Sequence, residues 1–87
     1  MPAQTATTVL QQVTEQINIQ VNIPEEQIAL DSSFENDLGF DSLEQVEFIM
    51  AIEDRFGIEV SDETAGQIQT VQQAVDAIEQ AIAGKKG

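Results

Sequence analysis

Ser42-Leu43-Glu44-Gln45-Val46-Glu47-Phe48-Ile49-Met50-Ala51-Ile52-Glu53-Asp54-Arg55-Phe56-Gly57 is the stretch from which the fold is read. Asp41 or Ser42 supplies an N-cap, and Glu44 and Gln45 stand three residues later, as a capping box requires. Val46, Ile49, Met50 and Phe56 form a stripe predicted to face inward. Gly57 closes the helix as a C-cap. No other part of the chain carries start, stripe and stop so completely.

Downstream, Asp62-Glu63-Thr64-Ala65-Gly66-Gln67 reads as a short third helix begun near Ser61, with its acids at the end the helix dipole favours. Thr70 then caps a fourth helix from Val71 to about Ala83. Val71, Ala74, Val75, Ile78 and Ile82 are its stripe, and Gly84 is expected to stop it. Upstream, Val9, Val13 and Ile17 recur every four residues, with Leu10 beside them. They mark a first helix from about Thr7 to Gln20. Ile17 to Ile23 also alternates as a strand would, but Pro24 favours an extended Ile23, so a helix running into an extended segment is preferred. Between the first two long helices lies a loop, about Asn22 to Asp41, rich in turn formers. Ile28, Leu30, Phe34 and Leu38 punctuate it, so the loop should pack on the helices. The expected fold is all-α: a small four-helix bundle of three long helices and one short third helix, with a long packed loop between helices 1 and 2. The domain is expected to span residues 7–83, between flexible ends at 1–6 and 84–87.

The chain has 87 residues, enough for one small domain with a thin core. It has no cysteine and no histidine, which removes disulfides, thiolate nucleophiles, the usual zinc ligands and the usual general base. No apolar run is long enough to span a bilayer, and the N-terminal residues show no secretory pattern. A cytoplasmic protein is expected, in the bacterial cytosol or as the mature form in an organelle. The net charge is −13, from 16 acids and 3 bases. Lys85 and Lys86 sit at the C-terminal end, which leaves Arg55 as the one base in the body of the chain. Such a surface repels nucleic acids and anionic membranes, and it attracts proteins with basic patches. Acidity can also serve solubility alone.

Chemistry is sought in Asp37-Leu38-Gly39-Phe40-Asp41-Ser42-Leu43-Glu44. Gly39 permits a tight turn, and Ser42 then opens a helix whose N-terminal amides and dipole suit a phosphate ester. A serine at this position is, in most proteins, only a cap.

The same eight residues resemble the attachment motif of acyl carrier proteins. The resemblance continues through Val46 to Glu53 and Phe56 to Glu63, then resumes at Ile68-Gln69-Thr70-Val71, in one register from about Val9 to Ile82. It implies 4′-phosphopantetheine joined to Ser42, installed from coenzyme A by a phosphopantetheinyl transferase. The terminal thiol of that arm would carry acyl groups as thioesters, so a chain without cysteine would run thiol chemistry while catalysing nothing itself. The implied partners are fatty acid synthase enzymes and acyltransferases with basic docking patches. A dedicated polyketide or other specialised acyl pathway is the alternative. Phe40 keeps that alternative open: Leu-Gly-Phe-Asp-Ser-Leu looks like many polyketide carriers, whereas the helix after it looks like the free-standing fatty-acid type. A monomer is expected.

Two faces of the second helix follow. At about 100° per residue, Glu44, Glu47 and Asp54 share a stripe beginning beside Ser42. With Asp41 and Leu43 they form the expected docking face. On the other side Val46, Ile49 and Met50, with Phe34, Leu38, Ile68 and Val75, are expected to line the interior that an acyl chain enters. No specific metal site is expected, because the acids between Asp31 and Asp41 lack the spacing of a calcium loop. A serine enzyme would need a histidine to activate the serine, which the chain lacks, and a lysine at the tail is poorly placed for that task; no motif supports an acidic inhibitor or nucleic-acid mimic.

Overall fold

The computed structural model describes residues 5–85, with side chains from Val9 to Gly84. Four α-helices order the described residues: α1 Thr5–Val21, α2 Ser42–Phe56, α3 Asp62–Gln67 and α4 Val71–Lys85. The expected four-helix, all-α architecture is the one observed, and α1 packs against both α2 and α4. The expected flexible ends lie outside the described residues except for 5, 6, 84 and 85, which are helical. Gly84 does not stop α4, since the helix continues through Lys85.

The stripe read on α1 is the buried one: Val9, Val13 and Ile17 are at most 1% exposed. The helix ends at Asn22, which takes a left-handed φ of 62° and donates its N–H to the Asn18 carbonyl at 2.8 Å. Asparagine tolerates that conformation better than most residues. Val71, Ala74, Val75 and Ile78 of α4 are buried against this face. A capping box starts α4. The Gln73 N–H donates to Thr70 Oγ1 (3.2 Å), and the Thr70 N–H donates to Gln73 Oε1 (3.0 Å).

Helix α2 requires a correction. Its buried residues are Phe48 and Ile52, while Val46 and Met50 are 55% and 61% exposed. Ile49 and Phe56 are half-buried. Val46 lies two residues from Phe48, about 160° around the helix, so the two cannot share an inward face. This helix carries two apolar stripes, and the bulkier one, with the aromatic ring, turns to the core.

Residues 22–41 form the packed loop, with a short 3₁₀ turn at Glu25–Gln27. Phe34 and Leu38 are buried as expected, but Leu30 is 42% exposed. The loop is tied to the start of α4 by backbone. The Phe34 N–H donates to the Gln69 carbonyl, and the amides of Val71 and Gln72 donate to the Ser32 and Leu30 carbonyls. Two amides that open α4, which would otherwise lack partners, are satisfied by the loop. Ser33 and Thr70 thereby form an isolated antiparallel bridge.

Arg55, in the last turn of α2, crosses to α1. Its Nη1 donates to Gln12 Oε1 at 2.9 Å and Glu15 Oε1 at 3.2 Å, and its Nε to Gln16 Oε1 at 3.2 Å. The one base in the body of the chain thus serves the α1–α2 contact and faces away from the acids around Ser42.

Candidate functional site

The loop delivers the chain to α2 through Gly39, whose φ of 72° is the left-handed conformation that glycine adopts at no steric cost. The turn sends Phe40 back inward, where its N–H donates to the Phe34 carbonyl at 2.7 Å and its ring is buried. Asp41 then emerges as the N-cap. Its Oδ1 accepts the Glu44 N–H at 2.8 Å, and Glu44 Oε1 accepts the Asp41 N–H at 3.1 Å, a complete capping box.

The division of labour between Asp41 and Ser42 is decisive. The sequence left open which of them caps the helix, and Asp41 does. Ser42 is the first helical residue, exposed, and its hydroxyl is in no hydrogen bond among the described residues. The usual structural duty of a serine at a helix start is performed by its neighbour. The first-turn amides of Ser42 and Leu43 likewise find no acceptor among the described residues. A phosphodiester on the Ser42 oxygen would lie beside them in the favourable field of the helix end, worth about 0.3–1 kcal/mol at an exposed site.

Beside Ser42 an open cleft of about 820 Å³ runs between α2, α3 and the loop. Of the residues expected to line an acyl site, Val46, Ile49, Met50 and Ile68 border this cleft. Phe34, Leu38 and Val75 do not: they are core residues, at most 6% exposed. Val46 and Met50 therefore meet the site from its exposed rim and take no part in the interior. Sequence reading did not find Val60 and Ala65, which also line the cleft, because it is the fold that brings the segment before α3 and α3 itself to the same groove as Ile49.

The expected docking residues are exposed, with one exception. Asp41, Glu47 and Asp54 are open to solvent, and Leu43 is 64% exposed. Glu44 is half-buried and held in the capping box. The exposed apolar row Leu43–Val46–Met50 lies next to Glu47 and Asp54, so the outer face of α2 combines apolar surface with negative charge. Among the described residues no group of histidine, cysteine or carboxylate side chains is arranged to hold a metal. No helix among the described residues is long and apolar enough to cross a membrane.

Comparison with known proteins agrees with this geometry. The family described as "Phosphopantetheine attachment site" matches residues 8–78. The chain is also similar to an acyl carrier protein from Guillardia theta, 49% identical over 67 residues that cover 77% of this chain and 83% of the relative. The fold and the site together define a carrier domain. The chain belongs to the acyl carrier protein family and carries 4′-phosphopantetheine as its prosthetic group. It is a carrier and not a catalyst. The exposed, unengaged serine at a helix start beside an open cleft fits that group.

Proposed function

We propose that Ser42 is the residue that takes the phosphopantetheine arm, and that the loaded protein delivers acyl thioesters to enzymes of fatty acid biosynthesis. The observation that carries the attachment is the capping box closed by Asp41, which leaves the Ser42 hydroxyl exposed and free of structural work. In the loading step the Ser42 oxygen attacks phosphorus in the coenzyme A pyrophosphate. A phosphodiester forms, the proton leaves to the transferase, and adenosine 3′,5′-bisphosphate departs. The bound arm supplies a terminal thiol that holds acyl groups as thioesters.

The partners proposed are a phosphopantetheinyl transferase, then synthase enzymes and acyltransferases with basic patches. The outer face of α2 supports this: Glu47 and Asp54 supply charge for steering, and Leu43, Val46 and Met50 supply surface to be desolvated on contact. The proposed setting is the cytosol, with the protein acting as a monomer. The alternative is a specialised pathway such as polyketide synthesis, and it rests on Phe40. The test is to offer the loaded protein to a purified fatty-acid ketosynthase and a purified polyketide ketosynthase. Faster elongation by the fatty-acid enzyme is expected, and the reverse preference would give the alternative.

A further inference from the structure

Two helix faces line the cleft beside Ser42. Helix α2 gives Ser42, Gln45, Val46, Ile49, Met50 and Glu53, and α3 gives Asp62, Ala65 and Gly66. Steps of three and four residues place each set on one side of its helix. The α2 face begins at the serine and runs for about 16 Å. Glu63, Thr64 and Gln67 are absent from the lining, so the phase of α3 turns position 66 toward the cleft.

Nothing in the fold requires a glycine at that position. Gly66 lies inside α3, and the C-cap of that helix is Ile68. Its φ is not left-handed, unlike those of Gly39 and Gly57. A Cβ built on Gly66 meets nothing within 4 Å among the described residues, so no neighbour in the chain needs the space. A glycine inside a helix is less stable than an alanine there. What it provides is bare main chain on the wall of a cleft that also contains the attachment serine. Glycine is the residue that lets another group approach a backbone closely.

We propose that Gly66 is the seat of the loaded arm. The pantetheine and its thioester lie against the main chain of α3 at this residue, and a side chain there displaces them. The inference rests on Ser42 being the attachment point and adds to that reading the wall on which the arm settles.

The test loads wild type, Gly66→Ala, Gly66→Leu and Gln67→Leu from hexanoyl-coenzyme A with a broad-specificity transferase. Each product is confirmed by intact mass, and thioester cleavage by hydroxylamine is then timed. Alanine and leucine have similar helix propensities but different bulk, so they separate lost space from a stiffened helix. Before loading, both Gly66 variants should melt at or above the wild-type temperature. After loading, Gly66→Leu should speed cleavage about fivefold and Gly66→Ala by less. Gln67→Leu, one residue further and outside the lining, should cleave as wild type does. Equal acceleration by alanine and leucine would assign the glycine to helix flexibility and overturn the proposal. Unchanged or slower cleavage in Gly66→Leu would also overturn it, as would acceleration by Gln67→Leu or Gly66 variants that melt below wild type. In loaded wild-type protein, nuclear Overhauser contacts should join protons of the arm to the Gly66 Hα protons. Their absence would overturn the proposal whether or not the variants fold. Failure of the serine to load would remove the attachment reading and this inference together, whereas loading without these contacts would remove this inference alone.

Discussion

Asp41 and Ser42 are adjacent, exposed and polar, yet they do different work. Asp41 closes both halves of the capping box, so Asp41→Ala should cost about 1 kcal/mol in urea unfolding, within the 0.5–2 kcal/mol typical of lost caps. Ser42 touches nothing that its removal would orphan. Ser42→Ala should leave stability within about 0.5 kcal/mol of wild type. A cost for Ser42→Ala equal to that for Asp41→Ala would return the serine to a structural role. Phe40 is the residue whose place was least legible. Its neighbours in sequence are polar or glycine, and nothing local says that its ring turns inward. That direction comes from Gly39 in the left-handed region and from a bond to Phe34, six residues earlier in the loop.

Helix α2 shows where pattern reading succeeds and where it fails. Its existence and its end at Gly57 were written in the residues, which left the cap between Asp41 and Ser42, and the αL conformation of Gly57 is the expected one. Its phase was not. Leu43, Val46, Ile49 and Met50 make one apolar stripe, and Phe48, Ile52 and Phe56 make another. A single amphipathic helix needs only one, so choosing between them requires knowing where α1 lies. The choice has energetic consequences. Phe48→Ala and Ile52→Ala should each cost about 2–5 kcal/mol, as buried truncations do. Val46→Ala and Met50→Ala should each cost under about 0.5 kcal/mol. The exposed pair should instead weaken binding to a synthase partner, measured by calorimetry on the loaded protein. Arg55 joins α2 to α1 through Gln12, Glu15 and Gln16, at a site about one quarter exposed. Arg55→Ala should cost about 1 kcal/mol, a modest value because water screens the ion pair and replaces part of the hydrogen bonding.

At the scale of the whole molecule the charge dominates. Eleven of the sixteen acids fall between Asp31 and Glu63, and Arg55 is turned toward α1, so among the described residues the acids surrounding Ser42 have no cationic partner. Their mutual repulsion opposes the compact state. Added sodium chloride or magnesium should therefore raise the melting temperature, and a melt unchanged or lowered by magnesium would contradict this. The bundle itself was legible because three helices each carry a stripe, and Val9, Val13 and Ile17 meet Val71, Ala74 and Ile78 as that pattern requires. The cleft was only half legible. Ile49 and Ile68 were expected to share it and do, whereas Val60 and Ala65 also line it and no local periodicity marks them.

The central claim is that Ser42 holds the arm. Intact mass spectrometry after treatment with coenzyme A and a broad-specificity phosphopantetheinyl transferase tests it most directly. The expected result is one added phosphopantetheine on the wild-type protein and none on the equally folded Ser42→Ala variant. An unmodified wild type, or a Ser42→Ala protein that still gains the group, would contradict it.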